Sequence, residues 1–110
     1  MITIERDENF KKELKKLKKH NEEQQNFDKI HNLFKMSEFV TEIENNPIYR
    51  QYGFEYLKHE LSGFASFNLC KNGGKIRLIC KIDKDNNAIR LIYISLNHYE
   101  DFKKVVKHYI

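Results

Sequence analysis

The chain has 110 residues, enough for a single domain over residues 1–110 with one modest core and too few for two. Its 40% hydrophobic and 33% charged residues describe a globular rather than a disordered protein, and no apolar run approaches the roughly 20 residues that would span a bilayer. Twenty Lys and Arg against 16 Asp and Glu give a net charge of +4, which favours an acidic partner, nucleic acid or an acidic protein segment, over a membrane or a neutral metabolite. Met1 to Glu5 lacks the pattern of a signal peptide, and the expected location is the cytoplasm.

Ile2 and Ile4 around Thr3 predict a short opening strand. Asp7 is placed to cap the following helix, where Phe10, Leu14 and Leu17 at i, i+4, i+7 make one apolar stripe and Lys11, Lys12, Lys15, Lys16, Lys18 and Lys19 cover the rest. From Phe27 to Ile43 the apolar positions Phe27, Ile30, Phe34, Phe39, Val40 and Ile43 keep helical spacing, as one helix or as two with Ser37 and Glu38 capping a restart. Pro47 holds Asn46 away from helical angles and ends this run. Residues 48 to 63, with Tyr49, Tyr52, Phe54 and Tyr56, predict an ordered loop packed by its own rings.

The period then changes. Residues 64 to 70 alternate as a strand, Asn72-Gly73-Gly74 offers a hairpin turn, and residues 75 to 82 and 88 to 96 complete a three-strand meander around a turn at Asp85-Asn86-Asn87. Asn97 is placed to cap a last helix with Phe102, Val105, Val106 and Tyr109 as its stripe. The fold class is α+β, with helices packed on a mainly antiparallel sheet and a C-terminal helix. Cys70 and Cys80 read as reduced thiols, because the hairpin pairs Cys70 with residues near Arg77 rather than with Cys80.

Side chains alternate between the faces of a strand. Ile76, Leu78, Cys80 and Ile82 therefore press against the helices, while Arg77, Lys75 and Lys81 point to the other face. A two-residue turn at Asn72-Gly73 sets Arg77 opposite Asn68, with Ser66 two residues further along that face. Ser66, Lys75 and Arg77 thus read as part of a cradle for an anion, or as a solvated sheet face. His98, at the end of the last strand, has an ordinary pKa of about 6.5 and exchanges protons at neutral pH. The five histidines show no metal-ligand spacing, and no cofactor motif is present; neither a metal nor a cofactor is expected. Glu55, Arg77 and His98 suit cleavage of RNA by its own 2′-hydroxyl, which needs a base, a cation for the phosphate and an acid for the departing 5′-oxygen. Asp101 or His59 would be the alternative base.

The segment Glu55-x-Leu57-Lys58-His59-x-Leu61-Ser62-Gly63-Phe64-x-Ser66 resembles the Glu-Pro-Leu-Lys-x-x-Leu-x-Gly-x-Trp-Ser segment of the RelE/ParE superfamily of bacterial type II toxins, in particular its YoeB/Txe branch. Arg77-Leu78-Ile79 and His98-Tyr99 resemble that branch's Arg-Leu-Val and terminal His-Tyr. The resemblance implies a RelE-like fold and a metal-independent, ribosome-dependent mRNA endoribonuclease held silent by a cognate antitoxin. It also implies cutting in the A site of the 70S ribosome and pairing as a homodimer. By the same resemblance Glu55 is the base, Arg77 binds the scissile phosphate, His98 is the acid, Tyr99 orients the nucleotide, and Lys58 and His59 contact RNA backbone. Ala65 replaces the branch's tryptophan, Phe67-Asn68 stands where two arginines are usual, and the chain runs eleven residues past Tyr99. Two rival readings follow: a ParE-like gyrase inhibitor without nuclease activity, and a degenerate relative that only binds its antitoxin and co-represses transcription.

Overall fold

The structure, a computed structural model, describes residues 1–71 and 73–110; Asn72, on which the expected turn falls, lies outside them. Strand β1 (Thr3–Arg6) leads into helix α1 (Phe10–Lys15), which tightens into a 3₁₀ turn over Lys16–Lys19 before α2 (Asn21–Met36). Two short helices, α3 (Thr41–Asn45) and α4 (Pro47–Arg50), precede strands β2 (Glu55–Tyr56), β3 (Ala65–Asn68), β4 (Arg77–Asp83) and β5 (Ala88–Ser95). Helix α5 (Glu100–Val105) and a final 3₁₀ turn over Val106–Tyr109 follow. The sheet runs β1-β5-β4-β3-β2, with β1 parallel to β5 and every other pair antiparallel.

Each face of the sheet carries its own core. Phe10 and Leu17 with Phe27, Ile30 and Phe34 bury the stripes of α1, its 3₁₀ extension and α2 against Phe67, Leu78, Cys80, Ile89 and Leu91. On the other face Phe102 and Val106 pack on Phe64, Ile79, Ile92 and Tyr93. The face carrying Arg77 is therefore not a wholly solvated polar surface: a helix covers its far part. A bulge makes room for this. Ile79 pairs with Tyr93 and Cys80 with Leu91, so Ile92 has no partner and joins Tyr93 in the second core.

Several local expectations shift. Asn9, not Asp7, holds the N-cap of α1, and without a side-chain bond. Arg90 on β5 draws the Asp7 carboxylate to 3.5 Å, and that carboxylate accepts the Asn9 N–H at 3.4 Å. Ser37 ends α2 instead of capping a restart: its hydroxyl donates to Leu33 O (3.0 Å) and meets Tyr49 Oη (2.6 Å). Val40 holds the N-cap of α3 without a side-chain bond, and Glu42 reaches back to accept the N–H groups of Glu38 and Phe39 at 2.7 and 2.8 Å. The extended backbone at Ser37 breaks the helical period, which leaves Phe39 exposed rather than in the stripe. Pro47 opens α4 as well as ending the preceding run, with Asn46 Oδ1 accepting the Ile48 N–H at 3.0 Å. Residues 48 to 63 hold α4, β2 and a 3₁₀ turn at His59–Leu61 instead of an irregular loop, although Tyr49 and Phe54 do pack as rings, on Phe67. At α5 the cap position belongs to Tyr99, and Asn97 contributes only its carbonyl, to the Glu100 N–H. Both cysteines are free, with Cys80 opposite Ala65. No helix among the described residues is long and apolar enough to cross a membrane.

Candidate active site

Register places the first pair. Edge strand β2 sets Glu55 opposite Ser66 on β3, and β3 sets Asn68 opposite Arg77 on β4, the pairing anticipated from the sequence. β5 then ends opposite Arg77, at Ser95, and delivers His98 and Tyr99 to the same end of the sheet. The turn that does this needs an unusual backbone: His98 has φ +58, a left-handed conformation that His adopts more readily than most residues, and its N–H is held by Lys75 O at 2.7 Å.

Tyr99 links the parts. Its hydroxyl donates to Glu55 Oε1 at 2.5 Å and lies 2.8 Å from Ser66 Oγ, while the His98 ring sits 3.9 Å from its own, centre to centre. Glu55 and His98 are exposed, Tyr99 and Arg77 are half-buried, and Ser66 is 1% exposed. Arg77 Nη1 donates to Asn68 Oδ1 (3.0 Å), Gly74 O (2.7 Å) and Ile76 O (3.3 Å). Its remaining nitrogens have no protein partner among the described residues, so one side of the guanidinium is anchored and the other is open to an anion.

The electrostatics agree with this crowding. Burial first, then the Arg77 and Lys103 charges, lower the His98 pKa from its ordinary value, against the opposing pull of Glu55 and Glu100. Burial and the bond to Glu55 raise the Tyr99 pKa, with Ser66 and Arg77 working the other way.

A cleft of about 320 Å³ is lined by Glu55, Lys58, His59, Tyr99 and Lys103 among others. Arg77, Lys75 and His98 do not line it; they stand beside it at the β3–β4 hairpin and the β5–α5 turn. Lys58, His59 and Lys75 are all exposed, and His59 shares the left-handed backbone of His98, with φ +57. Three larger hollows among the described residues, of about 630, 720 and 360 Å³, lie elsewhere and gather none of Glu55, Arg77, His98 or Tyr99. The alternative bases fall on either side: His59 lines the cleft, whereas Asp101 is engaged by the Leu96 N–H at 3.1 Å. Lys81, expected on the same face as Arg77, has its ammonium over the Phe64 ring and donates to Tyr109 O.

The anchoring role of Asn68 was not anticipated, although its register with Arg77 was the available signal. It also ties the site to Gly53. There φ is +65, and an added Cβ would lie 2.9 Å from Asn68 Cβ. Gly53→Ala is expected to destabilise the fold by about 1–3 kcal/mol in urea unfolding, through both strain and displacement of Asn68. An unchanged midpoint would mean that this contact relaxes freely.

No family model and no curated protein matches the chain. Solved structures do. A metal-bound toxin from Helicobacter pylori shares 26% identity over 91% of this chain and 98% of its own, with a TM-score of 0.61. A YoeB/ParE toxin from Agrobacterium tumefaciens shares 8% identity over 87% and 99%, with a TM-score of 0.59. A chain of the YoeB-YefM complex from Staphylococcus aureus shares 18% over 86% and 95%, with a TM-score of 0.53. Over most of its length the chain thus shares the fold of these bacterial toxins, YoeB-type toxins among them.

Proposed function

We propose that this chain is the toxin of a type II toxin–antitoxin pair and cleaves mRNA on the ribosome by 2′-hydroxyl attack on the adjacent phosphate, without a metal. The observation that carries the reading is the convergence of Glu55, Tyr99, His98 and Arg77, from β2, the β5–α5 turn and β4, at one end of the sheet. Glu55 takes the 2′-hydroxyl proton. The open side of Arg77 takes the phosphate and its growing charge, and His98 returns a proton to the departing 5′-oxygen. Tyr99 fixes one Glu55 oxygen, leaving the other for the substrate. Lys58, His59 and Lys75, all exposed, supply backbone contacts whose strength falls steeply with salt.

The partners on this reading are the 70S ribosome with mRNA in its A site and a cognate antitoxin, as YefM accompanies YoeB in the Staphylococcus complex. A second copy of the chain is a further partner. The cytoplasm is where these partners meet.

The test is induced expression in a bacterial host, wild type against His98→Ala, with primer extension on a known message. In-frame cleavage with growth arrest, both lost in the variant, is the expected result. Arrest with intact message and broken DNA would move the assignment to gyrase inhibition. No arrest would favour an antitoxin-binding co-repressor, a reading motivated by Phe67, which is fully buried where the resemblance would place an arginine.

A further inference from the structure

We infer that Ser66 is a positioning residue for the reaction, acting through Tyr99 on Glu55, and not a contact for the substrate. The inference rests on the proposed nuclease reading for its catalytic consequence, and on geometry alone for the contact itself.

Three observations lead to it. Ser66 is 1% exposed, so a ligand in the cleft cannot touch it. Its hydroxyl lies 2.8 Å from Tyr99 Oη, which in turn donates to Glu55 at 2.5 Å. And Ser66 is the register partner of Glu55 across the β2–β3 pair, so the three groups form a closed loop: strand to strand through the backbone, and back through the tyrosine.

The direction of the hydrogen bonds is fixed by chemistry. An ionised carboxylate only accepts, so Tyr99 spends its one proton on Glu55. The Tyr99 oxygen is then an acceptor, and Ser66 must donate to it. The chain runs Ser66 O–H to Tyr99 O–H to Glu55, each bond polarising the next. Its mechanical sense is equally definite. β2 is a two-residue edge strand and Tyr99 belongs to a turn, so Glu55 and Tyr99 stand on the less constrained parts of the sheet. β3 lies between β2 and β4, and Ser66 is its fixed point. The buried serine holds the tyrosine, and the tyrosine holds one oxygen of the base.

The test pairs Ser66→Ala with Tyr99→Phe and the double variant, all in the full chain. Single-turnover cleavage of a programmed message by Ser66→Ala is expected to fall about tenfold, the effect of one hydrogen bond, with the ribosome concentration for half-maximal rate unchanged. The double variant is expected to cleave no more slowly than Tyr99→Phe alone, because the serine has nothing left to hold. A raised half-maximal concentration, or losses that simply add, would overturn the inference and return Ser66 to substrate binding or plain packing. A second readout needs no activity. With ¹³C-labelled tyrosine, the Tyr99 ring carbon bearing the hydroxyl, assigned by its disappearance in Tyr99→Phe, is expected to shift at neutral pH in Ser66→Ala. Its titration is expected to move further upward, since the lost donor favoured the phenolate. An unmoved resonance would overturn the contact. If the wild type cleaves no message but the resonance moves, the nuclease reading fails and the hydrogen-bond chain stands.

Discussion

Arg77→Ala is expected to cleave message about 100- to 1,000-fold more slowly than wild type, the effect of removing one preorganised charge-stabilising donor. The loss should appear in the rate with little change in fold. Arg77 is half-buried with Nη1 spent on Asn68 and two carbonyls, and Asn68 Oδ1 keeps its second partner, the Cys70 N–H at 2.8 Å. A second consequence is independent of ribosomes. The Arg77 charge lowers the His98 pKa, since a nearby cation opposes a second positive charge. Without it the protonated imidazole is easier to form, and the His98 titration followed by NMR is expected to move upward. Cleavage at the wild-type rate would remove Arg77 from the phosphate. A His98 titration that stays put would separate the two residues electrostatically, and with them the idea of one site.

Phe67→Ala carries the largest expected effect on stability. Its ring is fully buried, 5.5 Å from Phe34 on α2, 6.2 Å from Tyr49 on α4 and 5.1 Å from Phe54, centre to centre. Three segments between β1 and β2 thus meet on one side chain of β3. Truncation leaves a cavity lined by rigid rings that cannot all collapse into it. A cost of about 3–5 kcal/mol is expected in urea unfolding, a large part of the roughly 5–15 kcal/mol that holds a domain folded. A cost under about 1 kcal/mol would show that these rings repack without it.

Much of this architecture was legible in the sequence because long stripes and hairpin registers are robust signals. Phe10 with Leu17, and Phe27, Ile30 and Phe34, announced the helices that bury them, and turn arithmetic set Asn68 opposite Arg77. What escaped was decided by few residues or by distant ones. β2 has two residues, too few for an alternation to register. Asp7 and Ser37 were read as caps because the chemistry of a cap is local, yet Arg90 and Tyr49, far along the chain, draw both side chains elsewhere. The bulge at Ile92 leaves no mark in a run of apolar residues, although it lets the last helix settle on the face bearing Arg77. In the site, residue types marked Glu55, Arg77 and His98 as candidates, whereas the chain from Ser66 through Tyr99 to Glu55 depends on three segments meeting and has no sequence signature.

The parallel pairing of β1 with β5 has a consequence for the order in which the molecule can assemble. Thr3 has no partner strand until Ala88, and the helices that follow β1 cover a sheet whose strands all come later in the chain, apart from β1 itself. Pairings so remote in sequence make for slow folding, because the chain must close a long loop before the contact repays it. During synthesis the early half therefore emerges with Phe27, Ile30 and Phe34 lacking the strands β3 to β5 that complete their core. A half-made chain is sticky and without its site at the same time, which makes the interval before β5 appears the period when chaperones or proteases have most to act on.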